Sequence, residues 1–314
     1  MNYPIHIAFC VNDKYIPYIC VTIKSIIENN KNNTLHFHVI SDNIPKKMYR
    51  LLYETIEGCK TVTIDTYLID NRQLYGLKDS WSIQAWYRVF LPNILGKNIH
   101  RVLYLDADII VAGSLKDLFS IDMTGKSIAA VIDIESFNPD TFKRCGYNNT
   151  KKYVCSGVLL MNLDYWRQYE LTKQIVNWAK ENNDKIKFPD QDTINYICQD
   201  TKILLPLKYG ILNPFFYDNE ILNSNYLPEV KECVTNPIII HYAGQNPWKI
   251  ELAKHIQNEE WNKYNRMLKH PAKRHYITKG TNLLKLHIWN LLHPNSHKHF
   301  LAKQKYQLEK ILNL

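Results

Sequence analysis

The chain of 314 residues is 46% hydrophobic and 12% aromatic, which is ample for one large core, or for one domain with an appendage, and excludes disorder as the default. Its formal charge of +9 is gathered at one end: residues 263–314 hold eleven Lys/Arg against a single acid, Glu309, while residues 1–262 hold 28 against 29. A near-neutral body with a basic tail, and no recognised binding module, argues against a nucleic-acid-binding protein despite the net charge.

In chain order, residues 5–11 read as a strand broken by Asn12-Asp13, followed by a helix from about Pro17 to Asn30 with Pro17 in its first turn. Residues 35–41 (LHFHVIS) form a second strand, 45–57 a helix stopped by Gly58, and 61–69 a third strand in which Val62, Ile64 and Tyr67 mark the alternation. This βα alternation predicts a parallel, doubly wound α/β sheet with right-handed crossovers. Residues 80–91 (SWSIQAWYRVFL) read as an aromatic helix with one cation, Arg88, either solvated or partnered by a phosphate or carboxylate.

Residues 101–111, RVLYLDADIIV, read as a buried central strand interrupted near its end by Asp106 and Asp108, with the small Ala107 between them. In extended chain, residues i and i+2 project to the same side, so both carboxylates face one point. At roughly 6 Å and an effective dielectric of about 20 they repel by roughly 3 kcal/mol, against under about 1 kcal/mol in water. A buried pair of this kind calls for a cation, and hard oxygen ligands suit Mn²⁺ or Mg²⁺. A second D-x-D at Asp190 to Asp192 shows that the pattern alone is weak; the Leu, Ile and Val on both flanks of the first one distinguish it from a surface turn.

Further on, residues 127–133 (SIAAVID) form a strand ending in Asp133, and 135–152 a polar loop. Residues 153–163 (YVCSGVLLMNL) are apolar again, with Gly157 permitting close backbone approach. Asp164 is expected to cap one helix, and Pro189-Asp190 to start another, in which Asp190 and Asp192 suit a first turn while Gln191 has no capping reason to be there. Residues 237–244 (PIIIHYAG) form a last strand carrying His241, a core histidine or a further ligand for Mn²⁺. After Trp261 come Lys/His-rich segments with LLKLHIWNLL at 283–292 and FLAKQKYQLEKILNL at 300–314. There Leu301, Leu308, Ile311 and Leu312 make an apolar stripe with the lysines mostly off it, as in a helix lying on anionic lipid or one packed on the domain.

The ordered set strand-N-D-x-Y, Y-R, L-Y-L-D-x-D, S-G-V-L-L-M-N-L, D-Q-D and H-Y-x-G-x-x-P-W resembles glycosyltransferase family 8, over roughly residues 5–250. That family includes bacterial lipopolysaccharide galactosyltransferases and glucosyltransferases and, more distantly, glycogenin. The resemblance implies a Rossmann-like nucleotide-diphosphosugar transferase fold of the GT-A type, a Mn²⁺ ion, and transfer from a UDP-sugar with retention of configuration. It implies that Asp106, Ala107 and Asp108 lie at the donor, with Asp106, Asp108 and His241 as metal ligands. Val11, Asn12 and Tyr15 match the segment that holds uridine, and Arg88 an arginine near the diphosphate. Asp133, Asp190 and Gln191 match the residues gripping the hexose, with Gln191 beside the anomeric carbon, and Gly244 brings backbone to the diphosphate. Two departures stand out. The family's H-x-x-G-x-x-K-P-W is one residue shorter here, HYAGQNPWK, so Lys249 is the candidate for the missing lysine. Cys155-Ser156-Gly157 replaces an Asn ahead of the family's alanine-glycine pair, which leaves the hexose open.

The resulting expectation is a catalytic domain over residues 1–250 and a basic helical extension over 251–314, moving galactose or glucose from UDP to a saccharide or lipid-linked glycan acceptor. Gln191 is a poor nucleophile, which favours same-face attack over a covalent intermediate. An N-terminal signal is not visible, no apolar window suffices for a span, and seven cysteines without C-x-x-C suit a reducing compartment. A cytoplasmic enzyme held by its tail at the inner face of the membrane is therefore expected, with the sequons at Asn32 and Asn148 idle. The rival readings are a nucleotidyltransferase, which lacks its Gly-rich phosphate loop in CVNDKYIP, a basic nucleic-acid-binding protein, and an inactive sugar-nucleotide-binding relative.

Overall fold

The computed structural model describes residues 4–78, 82–148, 150–222, 224–250, 255–278 and 295–313. Strands β1 (Ile5–Cys10), β2 (Leu35–Ser41) and β3 (Val62–Leu68) alternate with helices Ile16–Asn29 and Lys46–Ile56, as the hydrophobic pattern predicts. The chain then crosses to the other side of β1 and lays down β4 (Arg101–Leu105) parallel to it. After β5 (Ile109–Val111), β6 (Ile128–Val131), β7 (Val158–Asn162) and β8 (Lys202–Leu205), the large sheet has the order β3-β2-β1-β4-β7-β6-β8. A second, three-stranded sheet pairs β5 with β10 (Ile239–His241) and β10 with β9 (Tyr209–Leu212).

The alternating side chains of the large sheet feed two cores. Phe9, Leu103, Leu105 and Leu160 join one side with helix Ile16–Asn29 and the small sheet; Ala8, Val102, Tyr104, Leu159 and Met161 join the other with Trp86 and Trp166. Both faces are covered, so the strands read as near-continuous apolar runs rather than clean alternations.

Five local expectations are corrected. The stretch 101–111 is two strands in two sheets: β4 ends at Leu105, the aspartates occupy the turn, and β5 resumes antiparallel to β10. The sheet is mixed, because β7 runs antiparallel to both β4 and β6. Residues 135–152 are no bare loop. Ile134–Phe137 is a 3-10 helix, and Pro139–Cys145 is an α-helix whose N-cap Asn138 accepts from Asp140 N–H and whose end is Gly146 at φ +72°. Helix Leu163–Gln168 is capped by Asn162, which accepts from Tyr165 N–H, while Asp164 is the second residue of its first turn and pairs with His100 at 2.8 Å. The aromatic segment is a 3-10 helix over Ile83–Phe90, with Ser80 outside the described residues.

Residues beyond 250 contribute to the first core. Trp261 and Tyr264 of helix Asn258–Arg266 are buried in it, and Asn29 Nδ2 donates to Tyr264 Oη at 2.8 Å. The last helix, Asn295–Asn313, turns Leu308 and the fully buried Ile311 toward the same core, and Gln307 Nε2 donates to the Phe216 carbonyl at 2.7 Å. Leu312 and Tyr306 face outward, 46% and 67% exposed. The segment 283–292 and the side chain of Leu301 lie outside the described residues. Among the described residues no helix is long and apolar enough to cross a membrane. Ile311→Ala is expected to cost about 2 kcal/mol through the cavity it leaves, read as a lower urea midpoint at unchanged slope.

Candidate functional site

Strands β1, β2 and β3 step outward in one direction and β4 begins on the opposite flank, so the strand order reverses between β1 and β4. Open α/β sheets bind ligands outside the strand carboxyl ends at such a reversal. The carboxyl ends here are Val11-Asn12 after β1 and Asp106 to Asp108 after β4. Beside them lies a cavity of about 380 Å³ whose wall takes in Arg88, Asp106, Asp108, Asp133, Asp190, Gln191, His241 and Gly244.

The two aspartates and the histidine converge because three backbone segments are tied at this point. Asp106 N–H still donates to Gly157 O at 2.9 Å, one residue past β4, and Tyr242 N–H donates to Asp108 O at 3.0 Å. His241 Nε2 is then 3.3 Å from Asp108 Oδ1 and 3.8 Å from Asp106 Oδ2. One donor atom from each of the three lies within 4.8 Å of the others. Gly157 leaves the room for this. A Cβ there would press on His241 Cε1 and come within 2.7 Å of Asp106 Oδ2. Two carboxylate oxygens and an imidazole nitrogen around a gap kept open by a glycine fit a divalent ion of the Mn²⁺ type.

Arg88 organises the other side. It is 5% exposed, and its guanidinium stacks on the Tyr104 ring at 4.2 Å. Nη2 donates to Asp106 Oδ1 at 3.0 Å, Nη1 to the Ser156 carbonyl at 2.7 Å, and Nε to the Ala85 carbonyl at 2.9 Å, with Asp190 Oδ2 3.3 Å from Nε. The partners of Arg88 are thus carboxylates, backbone carbonyls and the Ser156 hydroxyl, to which Nη1 also donates at 3.2 Å. Gln191 is fixed just as firmly: its Oε1 accepts from Ser156 N–H at 2.9 Å, and its Nε2 donates to Asp133 Oδ2 at 3.4 Å. Behind the beginning of helix Pro189–Ile197, Asp192 is fully buried, ion-paired with Arg144, and accepts from Tyr153 Oη at 2.7 Å and from Phe188 N–H at 2.9 Å. It is a latch between helices Pro139–Cys145 and Pro189–Ile197, beyond the capping role that its position suggests.

The electrostatics follow from crowding. Burial alone would raise the pKa of Asp106, but Arg88, His241 and the Tyr104 hydroxyl, which donates to Oδ1 at 2.5 Å, hold it below the usual carboxylate value. Burial pushes Asp133 up to about 6, and raises Asp190 against the opposing pull of Arg88. Burial works against a charged imidazole at His241, yet Cys155 and the Asp108 carboxylate outweigh it and hold its pKa well above the ordinary value. Five carboxylates, Asp106, Asp108, Asp133, Glu135 and Asp190, share this wall with one guanidinium, an arrangement that favours a cation.

Five sequence-predicted residues stand off the cavity wall. Val11 donates its N–H to Ile40 O at 3.0 Å, Asn12 caps a 3-10 turn by accepting from Lys14 N–H at 3.1 Å, and Ala107 lies between the aspartates. Tyr15 meets Trp248 edge-on at 6.0 Å, and burial followed by the charge of Asp108 raises its phenol pKa. Lys249 is held by its backbone, in a bridge to His275 and a bond from its N–H to Asn246 O at 3.0 Å. Several residues went unread. Tyr104, two positions before Asp106 on a strand, carried a same-face signal. Ser156 and Asn246, whose Nδ2 donates to Asp108 Oδ2 at 2.9 Å, act across long sequence separations that leave no local trace. Gly157→Ala is expected to displace His241 and weaken Mn²⁺ binding at least tenfold, measured by titration of the purified chain, with about 1–3 kcal/mol lost in stability from overpacking.

Comparison with known proteins places this geometry. The chain is 31% identical over 249 residues to an Escherichia coli lipopolysaccharide 1,2-glucosyltransferase, covering 77% of this chain and 73% of that one. It is 27% identical over 256 residues to a putative glycosyltransferase of Haemophilus influenzae, covering 80% and 74%. The solved structure of galactosyltransferase LgtC in complex with donor and acceptor sugar analogs superposes with a TM-score of 0.74 at 22% identity, over 84% of this chain and 96% of that one. Streptococcus pneumoniae GlyE does so with a TM-score of 0.63 at 20% identity, over 84% and 60%. These likenesses give the GT-A glycosyltransferase fold. The family model for Glycosyl transferase family 8 matches residues 6–252, a span that contains both sheets but for the first residue of β1 and all three converging side chains, and to that family the chain belongs.

Proposed function

We propose that this protein is a retaining, Mn²⁺-dependent glycosyltransferase that moves galactose or glucose from its UDP-sugar to a saccharide or lipid-linked acceptor in surface glycan synthesis. The observation that carries the proposal is the convergence of Asp106, Asp108 and His241 beside a cavity whose far wall is Asp133, Asp190 and Gln191. The lipopolysaccharide glucosyltransferase relative and the sugar analogs in the galactosyltransferase complex support the substrate class.

When bound by the two aspartates and His241, the ion supplies stabilisation of the charge that develops on the departing diphosphate. Arg88 fixes the position of Asp106 and restrains Asp190 in an ion pair. Buried Asp133 and the clamped Gln191 amide offer acceptors and a donor for sugar hydroxyls. A carboxylate already committed to Arg88 is a weakened nucleophile, and an amide is a poor one, which supports attack by the acceptor on the face from which UDP leaves. The shortened HYAGQNPWK segment, without a lysine before Pro247, is the one feature that favours an inactive sugar-nucleotide-binding relative.

A screen of UDP release from several UDP-sugars with and without Mn²⁺ separates these readings. Wild type is expected to turn over one UDP-hexose only with the ion, and Asp106→Asn or Asp108→Asn to lose at least 100-fold. Wild-type turnover by either variant would sink the metal assignment, and donor binding without turnover in wild type would support the inactive relative.

Attachment to the inner face of the membrane is supported by the exposed Lys303, Lys305 and Lys310 on the outer side of the last helix, near Leu312 and Tyr306. Each basic residue near anionic lipid contributes about 1 kcal/mol. Reversing all three lysines to glutamate is expected to cut cosedimentation with phosphatidylserine vesicles at least tenfold while leaving UDP release unchanged.

A further inference from the structure

Away from the strand carboxyl ends, three histidines meet on one face of the large sheet. His6 of β1 and His36 of β2 are register partners, and the H-x-H spacing of LHFHVIS sets His38 beside them. One ring nitrogen of each lies within 4.8 Å of the others, and His6 Nδ1 is 3.0 Å from His38 Nε2. His38 is fully buried, while His6 and His36 are half-buried and keep a route from solvent. About 16 Å of extended strand separates His6 from Val11, so this cluster is distinct from the aspartate site.

The outer partners come from β3. His36 Nε2–H donates to Asp65 Oδ2 at 2.7 Å, which leaves the lone pair on Nδ1. His38 Nδ1 is 3.1 Å from Tyr67 Oη, a hydroxyl that can accept its proton and leave Nε2 bare. An imidazole that binds a metal through one nitrogen and donates from the other to a carboxylate or hydroxyl is the usual arrangement of a metal-bound histidine. Burial, followed by repulsion between the rings, lowers His6 to about 4 and His38 to about 3, so both are neutral at pH 7.

We propose that His6, His36 and His38 form a second metal site, for a borderline transition ion such as Zn²⁺, with Asp65 and Tyr67 as positioning residues. Three imidazoles and no first-rank carboxylate disfavour Mn²⁺ and Mg²⁺, the reverse of the aspartate site. On loading, the proton shared between His6 Nδ1 and His38 Nε2 moves to His6 Nε2, and both nitrogens bind the ion through lone pairs. The rings turn about χ2 and their nitrogens part to about 3.3 Å, the spacing that tetrahedral Zn–N bonds of about 2.0–2.1 Å require; water takes the fourth position. The ion clamps β1 to β2, and through Asp65 and Tyr67 both are held to β3, in the sheet that delivers Asn12 and Tyr15. Since an ion that binds only the folded chain stabilises it by mass action, loading is read as melting temperature.

The test uses the full chain, stripped with EDTA, dialysed, and titrated with Zn²⁺ while melting is followed. Wild type is expected to bind zinc with a rise in melting temperature of several degrees; His36→Gln loses at least tenfold in zinc affinity and the rise with it. His241→Gln, at the other cluster, keeps both. His6→Gln, at a half-exposed ring, reproduces the His36→Gln result if the latter variant folds poorly. The proposal is overturned if zinc leaves wild-type melting unchanged, or shifts wild type, His36→Gln and His6→Gln alike.

Discussion

The site depends on one buried guanidinium. Arg88 reaches Asp106 after β4, Ser156 before β7 and Asp190 at the start of helix Pro189–Ile197, tying the helix start to the paired ends of β4 and β7. Removing one partner of a buried charge pair costs about 3–5 kcal/mol, because the other charge is stranded in low dielectric. Arg88 therefore sets the distance between Asp106, which faces the gap beside His241, and Asp190 on the opposite wall of the cavity. It does not cancel their charge. With Asp108 and Asp133 nearby, the wall remains negative, and Cys155 and Asp108 raise the pKa of His241 against the cost of burial.

What the sequence disclosed follows from the range of the forces involved. The β1 to β3 alternation and the apolar flanks of the aspartate pair are local patterns, and both appear as read. The split of 101–111 between two sheets was hidden because β5 takes its register from β10, more than a hundred residues away. The antiparallel β7 was hidden likewise, since an apolar run covered on both faces does not disclose its direction. Asn138-Pro139-Asp140, by contrast, is a helix start written plainly in the chain and passed over inside a polar stretch.

For the site, the residues carried over by motif fall into two groups. Asp106, Asp108, Asp133, Asp190, Gln191, Arg88, His241 and Gly244 surround one cavity. Val11, Asn12, Tyr15 and Lys249 belong to the adjoining seam, where Trp248 stacks on Tyr18 at 4.0 Å and meets Tyr15 edge-on. The basic tail divides too. Its apolar stripe spends Leu308 and Ile311 on the core, so among the described side chains the outward face carries Lys303, Lys305 and Lys310 with the apolar Tyr306 and Leu312, a surface suited to electrostatic contact more than to deep insertion.

The turn at Asp106 to Asp108 is also the joint between the two sheets. Asp106 is bonded to the large sheet through Gly157, whereas Asp108 is bonded to Tyr242 and His241 belongs to β10 of the small one. A cation held by all three therefore staples two layers that otherwise meet through packing and a few backbone bonds. By reciprocity, whatever loosens the small sheet must weaken the grip on the ion by the same free energy, and filling the joint must stiffen that sheet.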